Sequence, residues 1–287
     1  MPMTNRDRKI GLSEAITPSL ASLCPMPRQK APTKSSSDRI AVLSIGGDSI
    51  GSQHADGRYV PLLKQQFDAL HDAGFQFRSL YSAMERVRRE EPIAERTLAV
   101  TLESEHAQPD SRLIRELISL NVSVTVLFDA AQLAAMSPQD HDAWHRWALT
   151  GLVDFGVQPI AQGDSKPHSL EFYREMSTGV ESLESIFAVT QPVLVFPVNS
   201  GIWGSEYEEI AMAVGAVACI TNQQQSVDLR SNPFVWGRFQ MAASDSPRAI
   251  VKRLSRQYSR WHRLWNQISE PFRATPIQAP TLVAQGM

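Results

Sequence analysis

From Ile40 onward the chain alternates short apolar runs with longer segments of helical periodicity, and this alternation restricts the fold more than any other feature. Short apolar runs bounded by turn residues read as buried strands, whereas apolar positions spaced three and four apart read as helices. Ile40–Ile45, Phe75–Ser79, Thr97–Leu102, Val122–Phe128, Leu152–Val157, Val193–Phe196, Gly215–Ile220 and Val235–Phe239 predict strands. Tyr59–Ala73, Asp110–Leu120, Gln139–Thr150, Leu170–Phe187 and Ser205–Val214 predict helices between them. Tyr59, Leu63, Phe67 and Leu70 share one face of the first helix, and Gly74 stands where a left-handed cap would end it. Ser205 and Glu208 have the spacing of a capping box ahead of Ile210, Ala213 and Val214, and Gly215 closes that helix. Strands joined by helical crossovers lie parallel. This many strands in so short a span predict an α/β fold closed, or nearly closed, into a barrel, with an open doubly wound sheet as the runner-up.

The flanks differ. Residues 1–39 are rich in Pro, Ser, Lys and Arg and residues 269–287 in Pro and Gln, so both read as disordered tails around a barrel domain spanning 40–268. No run reaches the apolar length of a membrane span, and the N-terminus lacks the apolar core of a signal peptide. Two cysteines, Cys24 and Cys219, cannot build a disulfide framework, which points to a reduced compartment and hence the cytoplasm. The net charge of −2 gives no general attraction to nucleic acid.

Parallel barrels carry their chemistry at the C-terminal ends of the strands. The residues there are Ser44–Ser49, Glu103–His106, Phe128–Asp129, Gln158–Gln162, Pro197–Trp203, Thr221–Asn222 and Arg238. Gly46-Gly47-Asp48 is too short to cradle a phosphate, so the segment argues against a nucleotide site.

In order and spacing these segments resemble the polysaccharide deacetylases with NodB homology. Leu98-Ala-Val-Thr-Leu-Glu-Ser-Glu105 stands where that family has a strand ending Thr-Phe-Asp-Asp-Gly. Leu120-Asn-Val-Ser-Val-Thr-Val-Leu-Phe128 is similar to the Gly-Val-x-Ala-Thr-Phe-Phe strand. Asp154-Phe-Gly-Val-Gln-Pro-Ile-Ala-Gln162 falls on Glu-Ile-Gly-x-His-Thr-x-x-His. Phe196-Pro-Val-Asn-Ser-Gly201 resembles the Pro-Tyr-Gly loop, and Asn232-Pro-Phe-Val-Trp-Gly-Arg238 resembles a late stretch that ends in arginine. The resemblance runs from about Ile40 to about Ile250 and implies a NodB-like (β/α) barrel of distorted TIM-barrel type.

The resemblance also implies roles. Glu103 takes the position of the catalytic base, Ser104 that of a metal-binding aspartate, and Gln158 and Gln162 those of two metal-binding histidines. A divalent metal lowers the pKa of bound water from about 16 to about 7 and polarises the acetamide carbonyl. Serine and glutamine offer only neutral oxygens in place of the charged or imidazole ligands zinc prefers. The expectation is therefore no metal cofactor and a non-catalytic protein of carbohydrate metabolism that binds glycan or regulates a partner.

Two alternatives stand beside it. In the first, Glu103, Glu105, His106 and Asp154 rebuild a metal site on one rim, giving an active hydrolase of carbon–nitrogen bonds. In the second, the protein is a scaffold acting through its basic C-terminal helix. That helix, Ser246 to Ile268, carries Arg248, Lys252, Arg253, Arg256, Arg260 and Arg263 beside an apolar stripe that either packs on the barrel or meets a membrane or protein.

Asp154, Asn199, Trp203, Trp236 and Arg238 are the candidate lining of a glycan groove, since an aromatic ring offers a sugar an apolar face. For the tryptophans the competing reading is packing under the rim. His141 and His145, four apart, read as one polar helix face rather than a metal site.

Overall fold

The computed structural model describes residues 36–37, 39–46, 59–94, 96–103, 108–159, 170–196, 205–228, 232–242 and 244–257. Six principal strands lie in chain order along one parallel sheet: β1 (Arg39–Ile45), β2 (Thr97–Glu103), β3 (Val124–Phe128), β4 (Val153–Val157), β5 (Val193–Phe196) and β6 (Ala218–Thr221). Between and after them run α1 (Tyr59–Asp72), α2 (Leu80–Arg88), α3 (Arg112–Ser119), α4 (Ala130–Ala135), α5 (Pro138–Ala148), α6 (Leu170–Phe187), α7 (Ser205–Ala213) and α8 (Pro247–Gln257).

Closure comes from the last extended stretch. Its first part, β7 (Trp236–Gly237), pairs in parallel with Ile220 and Thr221 of β6, and its second, β8 (Phe239–Gln240), pairs in parallel with Leu43 and Ser44 of β1. One short stretch thus bridges the two edges and makes a nearly closed barrel. The expected strand Val235–Phe239 is therefore two ladders with Arg238 between them, because its two halves bond to different neighbours.

Side chains alternate across each strand. One set faces the helices: Leu43, Leu98, Val100, Val126, Phe155, Leu194 and Cys219 pack with Leu63, Phe67, Ile114 and Leu183. The other set fills the interior, where Ile40, Val42, Ala99, Val193, Val195, Ala218 and Ile220 meet Trp236. Helix α2 adds Leu80, Ala83, Met84 and Val87 to that interior set and so closes the N-terminal end of the barrel.

The sequence signals that end the helices act as expected at Gly74. Its φ of 80° lets its N–H reach His71 O at 2.8 Å while Phe75 N–H reaches Leu70 O at 3.0 Å, a paired closure of the helix end. Two helices fall outside the sequence expectation. α2 follows the expected strand Phe75–Ser79, of which only Gln76–Phe77 pair, and α4 begins at an Asp129 capping box.

Helix α8 buries Ile250 and Leu254 completely and packs against α1. Gln66 of α1 donates to Ala242 O at 3.2 Å and Asp245 O at 2.6 Å, and Arg253 donates to Asp245 Oδ2 at 2.8 Å and Gln240 O at 2.9 Å. The described part of the apolar stripe, Ile250 and Leu254, therefore covers its own barrel, the first of the two readings of this helix; residues 258–268 lie outside the described residues.

Residues 1–35 and 269–287 of the expected tails also lie outside the described residues, whereas Ser36–Ser37 pair antiparallel with Ile93–Ala94. Among the described residues, no helix is long and apolar enough to cross a membrane.

Candidate functional site

At the C-terminal rim the inward positions of the strands converge on one buried ion pair. Glu103 is the last residue of β2 and Arg238 sits between β7 and β8. Arg238 Nη2 donates to Glu103 Oε1 at 3.2 Å, and Arg238 Nε donates to Asn222 Oδ1 at 2.9 Å. Arg238 is only 1% exposed, and Glu103 opens to solvent at 15% of its side chain. Burial pushes the guanidinium pKa down, and the Glu103 carboxylate opposes that shift. Gly46, at the end of β1, makes room for the carboxylate: a Cβ there would fall 2.6 Å from the Glu103 carboxyl carbon.

Gln158 follows β4 on the same rim. Its N–H donates to Phe128 O at 2.9 Å, which extends the ladder by one bond, and its side chain is half-buried. Ser104, Glu105, His106, Gln162, Asn199 and Trp203 lie outside the described residues. Among the described residues, no group of three His, Cys, Asp or Glu side chains could hold a metal ion.

Two of the expected groove residues are elsewhere. Trp236 is 1% exposed in the barrel interior, so its ring packs against the core and offers no face to a sugar. Its position two residues before Arg238 on the same face places it one layer deeper. Asp154 is the second residue of β4 and accepts a hydrogen bond from Ser79, the residue that caps α2. Because α2 closes the N-terminal end, Asp154 belongs to the underside and not to the rim that holds Glu103. Arg238 lies at the rim but beneath its surface, where it can hold Glu103 and cannot itself line an open groove. Asn222 stands among the strand-end residues of the sequence but not in the candidate groove; one step past the end of β6, its amide oxygen accepts from the closing segment.

His141 and His145 lie on α5, where the His145 ring stacks obliquely on Phe187 at 5.3 Å, a packing role.

Neither a protein-family model nor a curated protein matches the sequence. Solved structures do match the fold. The Streptococcus pyogenes deacetylase PplD in complex with acetate superposes with a TM-score of 0.60 at 15% identity, covering 75% of this chain and 98% of that one. IcaB from Ammonifex degensii gives 0.59 at 15% identity over 76% of this chain and 98% of its own, and the de-N-acetylase from Aggregatibacter actinomycetemcomitans gives 0.58 at 13% over 75% and 100%. The chain has the polysaccharide-deacetylase fold. Within that NodB-like barrel, Glu103 ends the strand that follows α2, and Arg238 belongs to the stretch that closes the sheet.

Proposed function

We propose that the chain is a polysaccharide-deacetylase-like protein of carbohydrate metabolism that binds glycan, or regulates a glycan-handling partner, without deacetylating. The observation that carries this reading is the donor set in the sequence. The four positions that the resemblance assigns to base and metal hold one carboxylate, one hydroxyl and two amides, at Glu103, Ser104, Gln158 and Gln162. Glu103 already gives one oxygen to the buried Arg238.

A divalent metal does not fit such a set. Zinc takes thiolate, imidazole or carboxylate, and neutral amide and hydroxyl oxygens bind it poorly. A lone glutamate acting as general base contributes about 10²–10⁴-fold, far short of what metal-bound water supplies. Glu103 is suited instead to accept hydrogen bonds from sugar hydroxyl or amide groups at the rim. Arg238 orients it from below.

The test uses the purified full chain. Metal analysis should find no stoichiometric zinc, cobalt or nickel, and N-acetylglucosamine oligomers should release no acetate. Calorimetric titration with the same oligomers should show binding that Glu103→Ala weakens by about tenfold, the loss expected for a charge-assisted hydrogen bond. Stoichiometric metal together with chelator-sensitive acetate release would overturn the non-catalytic reading, and absence of oligomer binding would overturn the glycan ligand.

A further inference from the structure

The underside of the barrel carries a second open site, independent of the rim and of the glycan reading. A cavity of about 380 Å³ opens beside the start of β4, within the size range of small-ligand pockets. Its lining is mixed, with the rings of Tyr81 and Phe187 and the side chain of Val189, and the buried Phe155 ring stacked on Phe187. Thr190 and Gln191, both exposed, stand at its mouth.

One charged group lines this cavity. Asp154 is half-buried, and its Oδ2 accepts from the Ser79 hydroxyl. Its Oδ1 has no hydrogen-bond partner among the described residues, and no described cation pairs with it. Burial raises the carboxyl above its ordinary range, and only the Ser79 hydroxyl pulls it back. The Tyr81 hydroxyl cannot help, because it donates to Phe155 O at 2.7 Å and accepts from Val193 N–H at 3.1 Å. Tyr81 therefore brings the cavity its ring, with its polar tip already in use.

We propose that this cavity binds a primary ammonium group carried on a compact apolar body, the ammonium on Asp154 Oδ1 and the body against the Tyr81 and Phe187 rings. The charge decides the class. A half-buried carboxylate without a counter-ion repels anions and leaves a neutral ligand facing an unpaired charge. An ammonium pairs with it and gains from the negative faces of the aromatic walls. A metal ion does not suit the site, since one carboxylate falls far short of the oxygen cage that calcium or magnesium requires. Arg88 is the nearby rival cation. Its Nη1 donates to Gln191 Oε1 at 3.3 Å and lies 3.7 Å from Glu85, so it is held at the mouth and outside the cavity.

Three probes of equal size and different charge test the assignment on the full chain: phenethylamine, 2-phenylethanol and phenylacetate, each titrated by ligand-observed NMR and calorimetry at pH 7. Phenethylamine should bind at least about tenfold more tightly than the alcohol, as a charge-assisted contact requires, and phenylacetate should bind weakest. Asp154→Asn keeps an acceptor for Ser79 and should erase the preference for the amine. Phe187→Ala should weaken amine and alcohol alike. Arg88→Gln should leave amine binding intact. Equal binding of amine and alcohol to the unmodified chain, a preference that survives Asp154→Asn, or no binding of the amine at millimolar concentration would each overturn the proposal. Amine binding that appears only in Arg88→Gln would identify Arg88 as the cavity's own cation and overturn it as well.

Discussion

Arg238 is charged and almost wholly buried, and its partner Glu103 reaches partly into solvent; the two ends of this ion pair therefore depend on each other unequally. Removing the carboxylate leaves a guanidinium in the barrel with Asn222 as its one remaining partner among the described residues, the circumstance in which breaking a buried pair costs about 3–5 kcal/mol. Removing the guanidinium leaves a carboxylate that water can reach, which costs less. Glu103→Ala should consequently destabilise more than Arg238→Met, and the double variant should recover most of the difference, because an apolar replacement of the whole pair strands no charge. Urea unfolding of the three variants measures this, and an Arg238→Met loss as large as that of Glu103→Ala would show that Arg238 matters mainly by filling space. Glu103, Gln158 and Arg238 were legible as strand-end residues because barrel chemistry gathers there. Their pairing was not, since Glu103 and Arg238 lie 135 residues apart and meet only when the sheet closes. Trp236 and Asp154 were misread for a related reason. Periodicity gives the face of a strand but not the depth along it, and depth separates the core tryptophan and the underside aspartate from the rim.

Helix α8 ends the described chain, and its role is decided by two side chains. Ile250 and Leu254 are completely buried against α1, and the turn before them is held by Gln66 and Arg253. Leucine or isoleucine truncation in such a site costs about 2–5 kcal/mol through lost transfer energy and the cavity left behind. Ile250→Ala and Leu254→Ala should each lower the melting temperature by several degrees, while charge reversal at the exposed Arg248 or Lys252 should leave it unchanged. Calorimetry reads both, and a stable Leu254→Ala protein would show that the helix is not anchored in the way its burial implies. The long elements were legible because their apolar positions repeat over several turns; Leu170–Phe187 and Val193–Phe196 run as expected to the residue. Helix α2 also carried a signal, Leu80, Ala83, Met84 and Val87 at helical spacing, but its apolar face covers the end of the barrel instead of its flank, a position without counterpart in a simple strand–helix alternation.

The whole molecule is a barrel whose closure fixes the spacing of the rim. β7 takes its register from β6 and β8 takes its register from β1, so the segment between them can lie in only one place, and the Glu103–Arg238 distance follows from it. Alternation along the chain made the barrel legible; the two-part closing strand was not, because no local pattern tells a chain to change neighbours. A rim fixed by closure should tolerate new side chains without moving, and this permits a test of the position-by-position resemblance. The combined change Ser104→Asp, Gln158→His and Gln162→His restores one carboxylate and two imidazoles, the donor chemistry zinc takes with open positions for water. If Ser104, Gln158 and Gln162 occupy the metal positions, the variant should bind one zinc by calorimetry. Because metal binding to the folded state stabilises it by mass action, zinc at about 100 times its dissociation constant should add about 2.7 kcal/mol to the stability of the variant and nothing to that of the parent. Zinc binding is the necessary first step; with Glu103 also changed to Asp, release of acetate from N-acetylglucosamine oligomers becomes the second readout. A variant that unfolds at the parent's temperature, shows the parent's circular dichroism and still fails to bind zinc would mean that these three positions do not converge. The non-catalytic reading would then need a basis other than lost ligands.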